Sequence, residues 1–128
     1  MHWTDHLIEP EAVTAYAELL PARISQPVTF CKNYVPWLDK LTGLAEELDV
    51  IAIHTYPVWE YKMITEAMDY TRENFDAVKS AYPDKQVIIT EAGWATASNG
   101  RGILPENVGE LFQETYLREL LEGAKDEE

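Results

Sequence analysis

Glu91 follows a short apolar run and stands where a single carboxylate could do chemistry. The four residues before it, Val87 to Thr90, favour a β-strand, and Trp94 comes three residues after it. A parallel strand buried on both faces has such an apolar run, and an α/β barrel keeps its active site at the carboxyl ends of its strands. The pattern therefore predicts a catalytic carboxylate at Glu91, beside an aromatic ring on which a sugar could stack.

Alternating strands and helices would position this carboxylate. The sequence predicts strands at residues 28–31, 49–54 and 86–90, and helices at residues 9–20, 37–48, 61–82 and 105–123, with a loop over residues 33–37. The first and third strands are expected to be buried. This order, α-β-α-β-α-β-α, implies a parallel sheet with right-handed crossovers.

Length and charge restrict the classes of partner. A chain of 128 residues is one domain or less. A net charge of −13 argues against binding to nucleic acid or to anionic membranes, and it suits a neutral ligand such as a polysaccharide. No run reaches the ~18 apolar residues of a membrane span. We interpret most of the acidic excess as solvated helix surface, as at Glu46 and Glu47.

No metal and no cofactor is predicted. Cys31 is the only cysteine, so the chain has neither a disulfide of its own nor a cysteine metal motif. His2, His6 and His54 lack the paired spacing of metal ligands. The glycines at residues 100 and 102 do not lead from a strand into a helix as a phosphate-binding loop would.

Three segments resemble, in order and at barrel spacing, motifs of glycoside hydrolase family 17, the β-1,3-glucanase-like (β/α)8 barrels. Residues 28–37, VTFCKNYVPW, resemble the fifth strand and its loop, and residues 49–57, DVIAIHTYP, resemble the sixth. Residues 88–94, IITEAGW, resemble the seventh strand with its nucleophile motif. Residues 2–5 and the turn at Glu106 and Asn107 add weaker likeness, so the resemblance covers nearly the whole chain.

The resemblance implies an α/β fold that is a partial TIM (β/α)8 barrel. A full barrel takes roughly 200 residues or more, so 128 residues can carry about half of one. We therefore expect residues 1–128 to form a single half-barrel domain of about three parallel strands and four helices. Its strands would correspond to the fifth to seventh of the family, and oligomerisation would complete or cover it.

The resemblance also implies roles for individual side chains. Glu91 would be the nucleophile of a retaining hydrolysis or transglycosylation of β-1,3-glucan, and Tyr56 would hydrogen-bond it. His54 would line the cleft, while Asn33 and Trp94 would bind sugar. Structural alternatives stand beside these roles: Glu91 as a helix cap or cation partner, and Asn33 as part of a turn.

Other aromatic residues have a purely structural interpretation. Trp37, Trp59 and Tyr61 could simply pack between helices and sheet, and for Trp37 this is the favoured interpretation.

The general acid is the main departure from the family pattern. In the family it is the glutamate of an "NE" pair after the fourth strand, which would fall before Met1, and the eighth strand would fall after Glu128. Lys32 also replaces the usual aspartate. Glu60 is the nearest substitute acid in the sequence, although a solvated loop glutamate is the favoured interpretation.

Two hypotheses of different class follow. The chain is either part of a glucan-active enzyme or a non-catalytic half-barrel that forms a homodimer through its strand edges. Family members are secreted or fused to membrane-bound glucan synthases, which implies an extracytoplasmic parent, whereas the location of this chain stays open.

Overall fold

Three parallel strands form the centre of the protein. The computed structural model describes residues 9–20, 23–98 and 103–125. Strands β1 (Thr29–Asn33), β2 (Val50–Thr55) and β3 (Gln86–Ala92) lie in the order β1-β2-β3, and both neighbouring pairs are parallel. The predicted α/β class with three parallel strands is confirmed, with strand bounds shifted by one or two residues.

Helices connect the strands. The α-helices of the described ranges are α1 (Pro10–Leu19), α2 (Tyr34–Asp39), α3 (Thr42–Glu46), α4 (Ala67–Ala81) and α5 (Glu110–Lys125). Short 3-10 turns lie at Pro57–Glu60, Ile64–Glu66 and Pro105–Asn107. Two predicted helices therefore begin later than expected, at Ala67 and Glu110, and a 3-10 segment precedes each of them. No helix in these ranges is both long and apolar enough to cross a membrane.

The connection between β1 and β2 differs from the prediction. Instead of a loop followed by one helix, the chain turns from β1 directly into α2, and a second short helix follows. Pro36 lies in the first turn of α2, where its missing N–H costs nothing. The carbonyl of Pro36 accepts the N–H groups of both Lys40 and Leu41 at 2.9 Å, which ends the helix there. Burial of Trp37 anchors this turn against the sheet.

Among the described residues, helices pack on one face of the sheet. Ile51, Ile53 and Val87 point into a core with Trp37, Leu44 and Val78. The prediction that β1 and β3 are buried is wrong, because Thr29, Cys31 and Gln86 are exposed on the opposite face. We call this opposite side the open face. Its register rows are Thr29–Val50–Gln86, Cys31–Ala52–Ile88 and Asn33–His54–Glu91.

Trp37 gives a test of the packed face. Its ring is fully buried, and its Nε1 donates to the carbonyl of Ala52 at 3.1 Å. Trp37→Phe should lower the free energy of unfolding by about 1–3 kcal/mol, because a buried carbonyl loses its partner and a small cavity remains. Urea denaturation measures this change. Tyr16→Phe, at an exposed position, is the control. An equal loss of unfolding free energy in both variants would contradict the burial of Trp37 against the sheet.

Candidate active site

A β-bulge near the end of β3 determines which way Glu91 faces. Ile53 pairs with Ile89, but His54 pairs with Glu91, so Thr90 is an extra residue in β3. The Thr90 hydroxyl donates to the carbonyl of Ile53 at 3.5 Å, at this irregularity. Because side chains alternate between faces, the extra residue turns Glu91 to the open face beside His54.

The carboxylate of Glu91 is held by two side chains of the neighbouring strand end. Its Oε2 accepts a hydrogen bond from the Tyr56 hydroxyl at 2.8 Å and lies 3.4 Å from His54 Nδ1. The side chain of Glu91 is still 52% exposed, whereas that of His54 is 20% exposed. These contacts give Glu91 a fixed orientation at the carboxyl edge of the sheet while leaving it accessible.

Tyr56 is a hydrogen-bond donor over the whole physiological pH range. Burial, together with the hydrogen bond to Glu91 and its negative charge, raises the pKa of the Tyr56 phenol from 10.0 to about 12. A smaller contribution comes from Tyr116. The phenol therefore stays protonated and keeps donating to the carboxylate.

Asn33 lies in the same register row as the carboxylate. It ends β1 and pairs with His54, which in turn pairs with Glu91. The structure therefore brings Asn33, His54, Tyr56 and Glu91 to one edge of the sheet, on the ends of neighbouring strands. All four were named from the sequence.

Trp94 lies elsewhere, in the core. Its ring is 3% exposed, lies 5.8 Å from the ring of Tyr116, and donates from Nε1 to the carbonyl of Asn107 at 2.8 Å. The expectation of a sugar platform at Trp94 does not fit this position, because stacking needs an exposed ring face. Trp94 instead belongs to a second hydrophobic cluster, with Val58, Ala67 and Ile103.

Asn107 is a structural residue whose role the sequence did not reveal. Its side chain accepts a hydrogen bond from the N–H of Ile64 at 3.2 Å and donates one to the carbonyl of Lys62 at 2.8 Å. Its backbone carbonyl accepts the hydrogen bond from Trp94 Nε1. It is 4% exposed. The loop after β2, which carries Tyr56, is thereby fastened to the segment after β3, which carries Trp94. The sequence signal was an asparagine in the turn before the last helix.

The loop after β2 also places the remaining predicted residues. The charge of Glu60 acts on Tyr70, where it adds to burial and to the hydrogen bond of Tyr34 in raising the pKa of that phenol. Tyr61 is 70% exposed and has a left-handed backbone with φ 58°, so the packing interpretation is wrong for it. The same interpretation is confirmed for Trp37, and Trp59 is partly exposed.

The described residues offer no evident metal centre. Within residues 9–20, 23–98 and 103–125, no three side chains of histidine, cysteine, aspartate or glutamate are grouped to hold an ion. The chemistry available at this edge is that of one oriented carboxylate with phenol and imidazole neighbours.

Comparisons with known proteins connect this geometry to a family. A family model described as "BtgE/BtgC glycoside hydrolase domain" matches residues 7–127. A comparison with curated proteins gives no match.

Three solved structures share the fold. A glycoside hydrolase family 17 β-1,3-glucanosyltransferase from Rhizomucor miehei is 25% identical with a TM-score of 0.68, over 86% of this chain and 41% of that chain. An active-site mutant of the Rhizomucor miehei β-1,3-glucanosyltransferase in complex with laminaritriose is 24% identical with a TM-score of 0.76, over 94% of this chain and 44% of that chain. An endo-laminarinase from Formosa Hel1_33_131 is 21% identical with a TM-score of 0.71, over 91% of this chain and 40% of that chain.

These likenesses settle the fold and its extent. The chain spans about two fifths of the length of the solved chains that it matches. The predicted partial TIM barrel and the resemblance to family 17 are both confirmed.

The contact between Tyr56 and Glu91 is testable in solution. Glu91→Gln removes the negative charge that disfavours the phenolate, so the pKa of Tyr56 should fall from about 12 but stay above 10.0, since burial remains. NMR of tyrosines labelled at Cζ, assigned with Tyr56→Phe, measures this titration while circular dichroism monitors the fold. The control Glu122→Gln changes an exposed carboxylate and should leave the pKa unaltered; equal shifts in both would contradict the contact.

Proposed function

Because its match to the family model spans residues 7–127, the chain belongs to the BtgE/BtgC glycoside hydrolase domain family, and we propose that Glu91 is the nucleophile of a retaining reaction on β-1,3-glucan. The observation that carries this proposal is the 2.8 Å hydrogen bond from the Tyr56 hydroxyl to Glu91 Oε2. It orients an accessible carboxylate at the edge of the sheet where barrels perform catalysis.

The reaction has two steps. One carboxylate oxygen of Glu91 attacks the anomeric carbon of a glucosyl unit, while the bond to the leaving oxygen breaks and that oxygen receives a proton from a general acid. Water or a sugar hydroxyl then attacks the same carbon and gives its proton to the acid group, now acting as a base, while the bond to Glu91 breaks. Water as acceptor gives hydrolysis, and a sugar hydroxyl gives transglycosylation.

Tyr56 and His54 support this role of Glu91. Both approach the same oxygen, Oε2, which fixes the plane of the carboxylate. A nucleophile held in one orientation loses less entropy on reaching the transition state. Because the raised pKa keeps Tyr56 protonated, the phenol keeps donating its hydrogen bond to the carboxylate that attacks.

The substrate class follows from the solved relatives and from charge. Their names describe a β-1,3-glucanosyltransferase, its complex with laminaritriose and an endo-laminarinase. A neutral glucan is also compatible with the net charge of −13, which would repel an anionic polymer.

The second carboxyl is proposed to come from another polypeptide segment. A retaining glycosidase places its acid about 5–5.5 Å from the nucleophile. The resemblance puts that acid at the end of a fourth strand, which has no counterpart among β1, β2 and β3. Without general acid assistance, a natural glucan should react roughly 10²–10⁴ times more slowly.

A substrate that needs no acid isolates the role of Glu91. Dinitrophenyl β-laminaribioside has a leaving group that departs without a proton, so the chain should release dinitrophenolate. Glu91→Gln should reduce this release by about 10³-fold or more, because the nucleophile is lost. Absorbance of the released phenolate gives the rates, and mass spectrometry with the 2-fluoro analogue should locate a covalent adduct on Glu91.

Glu60→Gln serves as the matched control in this assay. It changes another glutamate, which lies in the 3-10 turn after β2, and the rate should remain near that of the unchanged protein. A rate in Glu91→Gln equal to that of the unchanged protein would contradict the proposal.

The second candidate function is a non-catalytic half-barrel that forms a homodimer. The open face favours it, since no described strand pairs with the outer sides of β1 and β3, and Thr29, Cys31 and Gln86 are exposed. Open strand edges and exposed apolar residues promote association. In this case two copies would cover each other's sheets, and glucan hydrolysis would be absent.

Light scattering of the purified chain tests the dimer. We expect a dimer that is weakened by Cys31→Lys, because a charge on the open face cannot be buried without cost. Ser80→Lys adds the same charge on the exposed surface of α4 and should leave the dimer intact. A monodisperse monomer at all concentrations would rule out the dimer.

A further inference from the structure

Gly93 lies against the ring of Tyr56, two residues after Glu91. A Cβ atom added to Gly93 would lie 3.1 Å from Tyr56 Cε1 and 3.5 Å from Tyr56 Cδ1. We propose that Gly93 is a positioning residue, whose missing side chain lets the Tyr56 ring reach Glu91. This inference rests on the proposed role of Glu91.

Backbone conformation does not explain this glycine. Gly109 has φ +145°, in the region that favours glycine, but Gly93 is not among the residues with positive φ. Any residue could therefore adopt the backbone of Gly93. The reason for a glycine here is therefore the space that its missing side chain leaves for the ring of Tyr56.

The clearance matters because the ring carries the hydroxyl at its far end. A carbon–carbon approach of 3.1 Å is closer than the optimum of about 3.5–4.0 Å, so a Cβ would push the ring away by a few tenths of an ångström. The hydroxyl lies beyond the pushed edge and moves with it. The hydrogen bond to Glu91 Oε2, 2.8 Å long in this structure, would lengthen or bend.

The strand end therefore combines two features that serve one contact. The bulge at Thr90 turns Glu91 to the open face, and Gly93 makes room for its phenol partner. The heavy atoms that a Cβ at Gly93 would meet belong to the Tyr56 ring, so its effect would be transmitted through Tyr56.

The first test is the titration of Tyr56 in Gly93→Ala, followed by NMR of tyrosine Cζ. We expect the pKa of Tyr56 to fall from about 12 towards 10.0, because the phenol loses burial and its carboxylate partner. The control is Gly43→Ala, whose Cβ would meet nothing within 4 Å. An unchanged pKa in Gly93→Ala, or the same change in both variants, would overturn the inference.

A double-mutant cycle with Tyr56→Ala is the second test. Gly93→Ala alone should lower the melting temperature by a few degrees, and it should lower it no further when the Tyr56 ring has been removed. The same decrease in both backgrounds would mean that the Cβ meets another group, which overturns the inference. If Gly93→Ala alone fails to fold, folding of the double variant supports the inference, and its failure beside a folded Tyr56→Ala overturns it.

Both tests separate Gly93 from the function of Glu91. Neither depends on turnover, so they decide the positioning even if Glu91 proves not to be a nucleophile. If Glu91 is the nucleophile, Gly93→Ala should also slow release of dinitrophenolate, while Gly43→Ala should not.

Discussion

In the part of the chain that the structure describes, helices cover one face of the three-stranded sheet, and most other features of the protein depend on this one-sided packing. Ile51, Ile53 and Val87 supply the hydrophobic core on the covered side, together with Trp37. A parallel sheet is ordinarily covered on both faces. The opposite side is therefore available both as a surface for association and as the wall of a cleft, which is why an enzymatic and an assembling function both fit the same fold.

Site geometry depends on contacts that join neighbouring strand ends. Tyr56 follows β2, Glu91 ends β3, and a hydrogen bond connects them. Behind this pair, Asn107 fastens the loop after β2 to Trp94, so the two segments are held by buried polar contacts as well as by packing. A carboxylate oriented in this way needs little reorganisation when it reacts, which suits a nucleophile.

The sequence predicted what depends on local pattern and failed where tertiary packing decides. All three strands and the cluster of Asn33, His54 and Glu91 were found, because β-propensity and strand ends are local signals. Trp94 was misplaced, since its neighbours in the motif do not reveal that Tyr116 and Asn107 enclose its ring. The exposure of Cys31 was missed for a similar reason, as an apolar run does not tell how many faces of a strand will be covered.

The bulge in β3 has a consequence for how this chain can vary. If Thr90 were paired regularly with His54, Glu91 would pair with the buried Thr55 instead, and its side chain would face the helices. A substitution at position 90 changes one side chain, and a deletion of Thr90 would place Glu91 directly after Ile89, where regular alternation still directs it to the open face opposite His54. The side of the sheet on which the carboxylate lies therefore depends on Thr90 staying out of the pairing: a shift of register that paired Thr90 with His54 would turn the carboxylate towards the helices, whereas loss of Thr90 would not.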